Sequence, residues 1–437
     1  MERILIVGSG PVVIGQGMEF DYAGTQAVLA YQKMGHKVVV LNSNPASIMS
    51  DLCQSYHVPM TVESILEIID KEAITALAMS FGGQTALNLA LELEKNAEFL
   101  KRNIKILGTK IAAIRKAEDR DLFKQEIMKL GYQMAPSQIV TQENIAAVCN
   151  EITDFPVIIR PAYTLGGYGG GRCKSRAELP AMLHKALQAS KIKQAILEAD
   201  LTGLTELEFE VISDASGLAK VVLDLENIDP VGVHTGDSHV VAPIMSLPAD
   251  KVLAMKKQAE TIAAHFQIIG SCNVQMAYDE KNDQVYVIEM NPRVSRSSAL
   301  ASKISSYPIA EYTAYLSLGQ MLSKLCHPIE KTRKAHEIKN LIYPAFKAPI
   351  WPFDLMPLAN RNLGTQMKSV GEAMAMSNHL EGAMHQVFES ISLENYDAID
   401  DQTLLKAIEQ ASDQRLASLL TLIKRGYDLA LLSEKSQ

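Results

Sequence analysis

Short apolar strands alternate with helical stretches over the first 110 residues, and this alternation restricts the possible fold more than any other feature. Strands are predicted at 4–7, 37–41 and 76–79, and a helix over 21–34. Strand–helix alternation of this kind favours a parallel sheet flanked by helices. The sequence therefore predicts an α/β domain at the start of the chain.

A Gly-Ser-Gly turn at positions 8–10 raises the question of dinucleotide binding. A nicotinamide fingerprint needs a third glycine three residues later, where this chain has Val13. It also needs an acid after the second strand, where the chain has Asn42 and Asn44. NAD binding is therefore not expected, and backbone geometry explains the glycines.

Residues 111–330 follow another pattern, in which strands pair with their neighbours along the chain. Alternating segments at 207–212 and 220–225 predict one antiparallel pair. Segments 272–278 and 284–289 flank a short polar turn and predict a hairpin. The middle of the chain is therefore predicted to be α+β with antiparallel pairing.

Helices and irregular segments complete the predicted organisation. An amphipathic stretch over 116–130 predicts one helix that ends at Gly131. The proline-containing stretch 331–385 is expected to be irregular until order resumes at 364–376, and the last segment, 386–437, is expected to be helical.

Composition narrows the class of protein. The hydrophobic share of 47% can supply buried cores, and the net charge of -8 gives no reason to expect a nucleic-acid partner or an anionic membrane. Five cysteines without a CxxC pair favour neither disulfides nor a zinc site. No signal peptide and no apolar run of ~18 residues is recognisable. A cytoplasmic protein is therefore expected.

The most distinctive local feature is a glycine-rich loop directly after a predicted strand that ends at Arg160. Five glycines fall within the six positions 166–171, and their N–H groups could converge on phosphate oxygens. A flexible surface hairpin is the alternative, but it gives no reason for an arginine at the base of the loop. We therefore predict phosphate binding by Arg160, Gly166, Gly167, Gly169, Gly170 and Gly171.

A second group of polar residues follows the predicted hairpin. Glu289 and Asn291 are two residues apart and share one face of a strand, and closing the hairpin brings Gln275 opposite Glu289. Carboxylate and amide oxygens suit Mg²⁺ or Mn²⁺, although an ordinary polar face is the simpler alternative. Arg293 and Arg296 come next, and cations beside a cation site make sense only if anions fill the space between them.

Two further candidates are weaker. Glu206, Glu208 and Glu210 alternate with apolar residues, so they share one strand face that would ordinarily be a solvated edge. Near a nucleotide, one of them could accept a hydrogen bond from a ribose hydroxyl. His234 begins a polar loop and could contact a transferred phosphate, although most loop histidines are simply exposed.

Seven segments together resemble a known family. In order and spacing, the chain is similar to the large subunit of carbamoyl-phosphate synthetase, in its first, carboxyphosphate-forming half, over roughly residues 1–385. The segments are GSGPVVIGQGMEFDYAGTQA, FGGQTALNLA, IIRPAYTLGGYGGG, GVHTGDS, NVQMAY, IEMNPRVSRSSALASK and GTQMKSVGEAMAM.

The resemblance implies a multidomain fold of the ATP-grasp superfamily. A Rossmann-like pre-ATP-grasp domain that does not itself bind nucleotide would occupy 1–110, and the ATP-grasp domain would occupy 111–330. The remainder of the synthetase unit would occupy 331–385, and 386–437 would begin a helical oligomerisation domain.

The resemblance also implies roles for individual residues. Arg120 and Arg160 would bind the ATP phosphates, Glu206 would lie near the ribose, and Gly232, Val233 and His234 would complete the nucleotide site, with His234 near the transferred group. Gln275 and Glu289 would touch both nucleotide and metal. Metal ligands would be Gln275, Glu289 and Asn291, and the residues acting on bicarbonate or its phosphorylated form would be Arg293, Arg296, His234 and Asn291.

The implied activity is that of an ATP-dependent carbon–nitrogen ligase. ATP would phosphorylate bicarbonate, and ammonia would convert the carboxyphosphate into carbamate for carbamoyl phosphate synthesis in the pyrimidine and arginine pathways. Two Mg²⁺ or Mn²⁺ ions are expected, with K⁺ as a further candidate. Expected partners are a glutaminase subunit and a second synthetase half, on another chain or in a homodimer.

Two alternatives stay open at this point. Tyr168 stands where the family usually has a small hydroxyl residue, the stretch 50–59 is shorter than usual, and only the start of the helical domain is recognisable. These departures fit a non-catalytic remnant that binds nucleotide. The paired arginines would also suit an ATP-grasp ligase for another small carboxylic acid.

Overall fold

The structure is a computed structural model, and it describes residues 1–14, 17–162, 169–190, 193–356, 358–391 and 396–436. In these ranges the chain forms three sheets and a helical C-terminal segment. None of the described helices combines the length and the apolar character that crossing a membrane requires.

The N-terminal part of the chain is a five-stranded parallel sheet covered by helices, as the alternation predicted. The strand order is β3-β2-β1-β4-β5. Residues of β1 contribute alternately to two different hydrophobic cores, so both faces of the sheet are covered. The elements are β1 Arg3–Val7, α1 Met18–Lys33, β2 Lys37–Leu41, α2 Met49–Leu52, β3 Gln54–Tyr56, α3 Val62–Glu72, β4 Ala76–Ala78, α4 Gly83–Leu93, α5 Ala97–Lys101 and β5 Lys105–Leu107.

The glycine turn after β1 is closed by an asparagine. The side-chain Oδ1 of Asn42 accepts hydrogen bonds from the backbone N–H of Gly10 at 3.1 Å and of Asn44 at 3.3 Å. The turn is therefore held by hydrogen bonds within the protein.

The middle of the chain contains two antiparallel sheets. The smaller has the order β6-β9-β7-β8, and the larger has the order β14-β13-β10-β11-β12-β15-β16. The predicted antiparallel pair and the predicted hairpin are both confirmed. The elements are α6 Ile111–Glu118, α7 Arg120–Lys129, β6 Ser137–Val140, α8 Ile145–Glu151, β7 Val157–Pro161, β8 Gly171–Cys173, α9 Leu179–Ala189, β9 Ala195–Ala199, β10 Thr205–Ser213, β11 Ala219–Asn227, β12 Val240–Ala242, α10 Ala249–His265, β13 Gly270–Asp279, β14 Gln284–Asn291, α11 Arg296–Ser305, α12 Ile309–Ser317, β15 Ala345–Ile350 and β16 Gly371–Met376.

The prediction of a single helix over 116–130 is wrong, because one helix ends at Glu118 and a second begins at Arg120, after Asp119. The carboxylate of Asp119 accepts from the backbone N–H of Asp121 at 3.1 Å and of Leu122 at 3.0 Å, which caps a new helix, α7. The break matters for the site, since it makes Arg120 the first residue of α7.

The prediction that the chain is irregular after residue 331 is wrong for residues 345–350. Strand β15 occupies these residues and pairs with β12 and β16, so the larger sheet extends to Met376. Pro349 belongs to β15, and β12 pairs only with residues 345–347 of this strand. The proline therefore lies where one neighbouring strand is already missing, and its lack of an N–H is tolerated.

The C-terminal segment is helical, as expected. Its helices are α13 Leu380–Ser390, α14 Asp401–Ile408, α15 Arg415–Lys424 and α16 Leu429–Lys435. Most of these helices share a small core of their own, which includes Leu404, Ile408 and Leu422. An ion pair between Arg361 and Asp413, with the hydrogen bond from Leu363 N–H to the Ala411 carbonyl at 2.7 Å, attaches the segment to the rest of the chain.

The first domain and the larger sheet share one hydrophobic core. Helix α1 packs on α12, and the hydroxyls of Tyr31 and Ser317 form a partly buried hydrogen bond of 2.7 Å. Because the core is continuous, residues of the first domain hold fixed positions beside the antiparallel sheet.

We predict that replacing Gly82 with Ala destabilises the protein. A Cβ there would lie 2.3 Å from the carbonyl oxygens of Val7 and Gly8, so β1 and α4 would have to separate, at a cost of about 2 kcal/mol. Urea denaturation measures the change. Gly371→Ala is the matched control, because its Cβ would meet only Ile350 at 3.9 Å; equal stability of the two variants would contradict the packing argument.

Candidate functional site

The three strands β10, β13 and β14 carry polar side chains in two rows across the larger sheet. The first row consists of Glu208, Gln275 and Glu289, which lie opposite one another in register. The second row consists of Glu210, Asn273 and Asn291. Directly opposed residues of antiparallel strands share a face, so the two rows form one polar surface.

Hydrogen bonds connect the two rows. The Asn273 amide donates to Glu208 at 3.0 Å and to Glu210 at 2.8 Å. The Gln275 amide donates to Asn273 at 3.2 Å, and the Asn291 amide donates to Glu289 at 3.1 Å. The structure thus brings together the predicted metal-ligand set, and adds Asn273, which the sequence reasoning missed.

The three glutamates of β10 are buried, so the solvated-edge interpretation is wrong. Glu206, Glu208 and Glu210 are 5%, 2% and 0% exposed, because β10 is a central strand with both faces covered. Burial raises the pKa of Glu206 well above its usual value, and the neighbouring charges of Glu208 and Glu289 raise it further. The crowding therefore disfavours ionisation of Glu206, and a cation bound nearby would favour its charged form.

The side chains of the two rows have the chemistry that a divalent cation requires. Gln275, Glu289 and Asn291 offer the hard oxygen atoms that Mg²⁺ and Mn²⁺ prefer, beside carboxylates in need of positive charge. In the described part of the chain, no three His, Cys, Asp or Glu side chains form a ready metal cluster. The predicted ligand set instead combines one carboxylate with two amides, and these oxygen donors suit Mg²⁺ or Mn²⁺.

Glu210 connects the sheet to the loop that carries the arginines. Its carboxyl accepts from the hydroxyl of Ser295 at 2.5 Å and of Ser298 at 2.7 Å, at the start of α11. Burial raises the pKa of Glu210 to about 7, although these hydroxyls and Asn273 lower it. Ser297 donates to Glu208 at 3.0 Å, so two strand carboxyls fix the loop.

Arg293 projects from this loop and retains an unpaired N–H. Its terminal nitrogens donate to the Asn291 side chain at 2.9 Å and to the Val294 carbonyl at 3.3 Å. The Nε atom is buried and has no hydrogen-bond partner among the described residues. The ring of Phe20 covers the guanidinium, with 5.4 Å between the Cζ atom and the ring centroid. A cation with a buried, unpaired donor points to a site for an anion.

Arg296 lies near Arg293, and a further cation, Lys347, lies near Arg296. Arg296 is the first residue of α11, and its guanidinium contacts the Met367 sulfur. Lys347 on β15 is 4% exposed and donates to the Ser238 carbonyl at 2.9 Å. The sequence reasoning missed Lys347 because it falls in the stretch predicted to be irregular.

His234 lies at a short 3-10 turn, Thr235–Asp237, close to Arg296 and Lys347. Its backbone N–H donates to the Gly364 carbonyl at 2.8 Å, and its Nδ1 accepts from the Gly236 N–H at 3.0 Å. Burial, together with the nearby charges of Arg296 and Lys347, lowers the pKa of the imidazole to about 3. The ring is therefore neutral, with its proton on Nε2, from which it can donate a hydrogen bond.

Arg120 and Arg160 meet at one carboxylate. The Arg120 Nη1 atom lies 3.0 Å from one oxygen of Glu198, and the Arg160 Nε atom lies 3.0 Å from the other. The three residues line a cavity of about 60 Å³ together with Ala199 and Gly232. Val233 is buried next to this cavity, and the sequence reasoning did not identify Glu198 as the partner of the two arginines.

The described part of the glycine-rich loop packs against its own strand. Gly169 and Gly170 precede β8, which begins at Gly171, and a Cβ on Gly170 would lie 2.5 Å from the Ile159 carbonyl oxygen. Packing therefore requires the glycine at 170. Gly166 and Gly167, with Tyr168, lie outside the described residues, so phosphate binding by this loop stays a prediction.

The fold and the polar site together define a protein of the ATP-grasp class, with a preceding α/β domain. Biotin carboxylase from Campylobacter jejuni has a similar structure, with a TM-score of 0.67 and 16% identity, covering 99% of this chain and 98% of that one. N5-carboxyaminoimidazole synthetase from Staphylococcus aureus has a TM-score of 0.63 and 16% identity, covering 90% and 97%. These similarities establish the fold.

Sequence comparison identifies the family. The model of the carbamoyl phosphate synthase preATP-grasp domain matches residues 1–116, and that of the carbamoyl-phosphate synthase L chain, ATP binding domain, matches residues 119–325. The arginine-specific carbamoyl phosphate synthase large chain of Bacillus subtilis is 42% identical over 100% of this chain. The chain belongs to the carbamoyl-phosphate synthase large-chain family, and it spans 43% of that relative's length.

We predict that His234 does not titrate in the neutral range. In nitrogen-15 NMR of histidine-labelled protein, the ring signal that disappears in His234→Gln should stay neutral between about pH 5 and pH 8. The same ring must gain a proton when the protein unfolds below pH ~6.5, so it contributes stability that is lost as the pH falls. A midpoint near pH ~6.5 in the native protein would contradict its burial between cations.

Proposed function

We propose that this chain transfers the γ-phosphoryl group of ATP to bicarbonate and that ammonia converts the carboxyphosphate into carbamate. One observation carries the proposal: the buried, unpartnered Nε of Arg293 lies beside Asn291 of the polar rows. This is a place for a small anion next to a place for a metal ion. The family and its named relative supply the identity of that anion.

The nucleotide would bind between the two antiparallel sheets. Arg120 and Arg160 would hold its phosphates, with the glycine-rich loop above them and Glu206 near the ribose. Gly232 and Val233 would contact it through the backbone. The cavity of about 60 Å³ that Arg120, Arg160 and Gly232 line supports this arrangement for a part of the nucleotide only, because it is smaller than a whole nucleotide site of about 300 Å³ or more.

Gln275, Glu289 and Asn291 would hold Mg²⁺ or Mn²⁺, with a second ion shared with the phosphates. The metal would neutralise charge on the γ-phosphoryl group and on its leaving oxygen. K⁺ stays a further candidate without an assigned ligand set.

The chain's own residues would position the reactants. An oxygen of bicarbonate attacks the γ-phosphorus, the bond to the bridging oxygen breaks, and ADP departs with the electron pair. Arg293 would hold bicarbonate, while Arg296 and neutral His234 would donate hydrogen bonds to the transferred group. Ammonia then attacks the carbonyl carbon and phosphate leaves. No protein nucleophile is needed.

The partners follow from the proposed reaction and from the length of the relatives. Ammonia would come from a glutaminase subunit, and a second synthetase half would phosphorylate carbamate, since this chain spans 43% of its relative. The relative's name favours the arginine pathway, with the pyrimidine pathway as the other possibility. The five free cysteines are compatible with a cytoplasmic location.

We predict that Arg293→Ala abolishes bicarbonate-dependent ATP hydrolysis. ADP release is measured with Mg²⁺ and ATP, with and without bicarbonate, in carbon-dioxide-depleted buffer. Loss of a charged contact to a buried anion should lower kcat/KM for bicarbonate by about 100-fold, equivalent to ~3 kcal/mol. Arg102→Ala is the control, because Arg102 pairs with Asp70 on the first domain, away from the polar rows and the cavity.

Undiminished bicarbonate stimulation in the Arg293 variant would remove the residue from the site. A wild-type chain that binds ATP without bicarbonate stimulation would contradict the proposed reaction. A screen of other small acids would then separate a different ligase from a nucleotide-binding remnant.

We predict that Glu289→Gln weakens Mn²⁺ binding at least about tenfold, because the substitution removes the one carboxylate of the ligand set. Electron paramagnetic resonance of Mn²⁺ with a non-hydrolysable ATP analogue measures the effect. Glu280→Gln is the control, since Glu280 is exposed at the turn of the same hairpin. Equal Mn²⁺ affinity in both variants would exclude Glu289 as a ligand.

A further inference from the structure

Glu198 is the carboxylate that joins the two arginines of the nucleotide site. We propose that it is a positioning residue, which holds the guanidinium groups of Arg120 and Arg160 side by side so that their free N–H groups face the ATP phosphates. This inference rests on the proposed function only in assuming that the cavity binds ATP.

Three elements converge on this carboxylate. Arg120 begins α7, Arg160 belongs to β7, and Glu198 belongs to β9. Glu198 pairs in register with Ile158, and Arg160 is two residues further along β7. Side chains two apart on a strand share a face, so Glu198 and Arg160 project from the same side of the smaller sheet.

Each arginine directs only one of its guanidinium nitrogens toward Glu198. Arg120 donates a hydrogen bond to Glu198 from Nη1 at 3.0 Å, whereas the Arg160 Nε lies 3.0 Å from the other carboxylate oxygen as an ion-pair contact without an aligned hydrogen bond. N–H groups of both guanidiniums are therefore left for a ligand. The Glu198 side chain is 12% exposed, whereas the arginine side chains are 37% and 36% exposed. The carboxylate therefore lies behind the two cations.

The carboxylate also offsets the repulsion between the two cations. Among the described residues, no other carboxylate lies within ion-pair distance of Arg120 or Arg160. Without Glu198, the like charges would favour separation of the two side chains. The arginines would then have to be ordered by the nucleotide itself, which weakens binding.

The chemistry of the carboxylate suggests discriminating variants. A carboxylate places a negatively charged oxygen beside each arginine, whereas the glutamine amide is uncharged and would turn its NH₂ group toward one of the two guanidiniums, so Glu198→Gln cannot hold both. Glu198→Asp keeps two acceptors on a shorter stem and should retain part of the function. Glu126→Gln is a matched control, because Glu126 is 13% exposed and pairs with Lys129 and His265 away from the cavity.

The direction in which the ATP affinity of Glu198→Gln changes distinguishes a positioning role from a simple charge effect. Removing a negative charge near an anionic ligand would by itself tighten ATP binding. Loss of positioning weakens it instead, and the loss grows with the number of phosphates that the arginines contact. We expect Glu198→Gln to bind ATP about tenfold more weakly, ADP less so, and AMP nearly as well as the wild type.

Calorimetric titration of the full chain with AMP, ADP and ATP in the presence of Mg²⁺ tests the proposal. Support is a loss that increases from AMP to ATP in Glu198→Gln, a smaller loss in Glu198→Asp, and no loss in Glu126→Gln. Equal losses for all three nucleotides, unchanged affinities or tighter ATP binding would each overturn it.

The titration also separates this inference from the proposed reaction. A wild-type chain that binds ATP but lacks bicarbonate-dependent turnover would contradict the reaction while leaving the positioning role to be judged by the variants. A wild-type chain that binds none of the three nucleotides would overturn both.

Discussion

The hydrogen bonds of the Glu210 carboxyl hold together the part of the candidate site that lies around Arg293. Glu210 lies at 0% exposure on a central strand, and it accepts from Asn273, Ser295 and Ser298. One group therefore connects the polar rows of the sheet to the start of α11, into which the loop that carries Arg293 leads. Buried polar networks of this kind fix one geometry when every member has its partners.

Other parts of the chain complete the site around this anchor. Phe20 of the first domain covers Arg293, and the buried core shared by α1 and α12 keeps the domain in place. On the opposite side, Asp237 accepts from the backbone N–H groups of Lys368 and Ser369 at 2.8 and 2.7 Å, which ties the His234 turn to residues near β16. The site thus depends on contacts between segments far apart in sequence.

Local patterns were sufficient for much of the fold and for part of the site. The hairpin register that sets Gln275 opposite Glu289 follows from turn length and strand alternation. The burial of Glu208 was not predictable in this way, because alternation cannot distinguish a central strand from an edge strand. The start of a new helix after Asp119 was not predicted, because helical periodicity continues across it. Lys347 was not predicted to lie on a strand, because the nearby prolines indicated an irregular segment, whereas they mark the end of the pairing between β12 and β15.

The fate of the bicarbonate oxygens tests the central claim most directly. If an oxygen of bicarbonate attacks the γ-phosphorus, that oxygen stays with phosphorus when carboxyphosphate decomposes. The wild-type chain should therefore release inorganic phosphate carrying one oxygen-18 atom per turnover from labelled bicarbonate, as detected by mass spectrometry. Unlabelled phosphate, formed at the same rate as ADP before the label exchanges with water, would mean that water attacks ATP and would contradict the account.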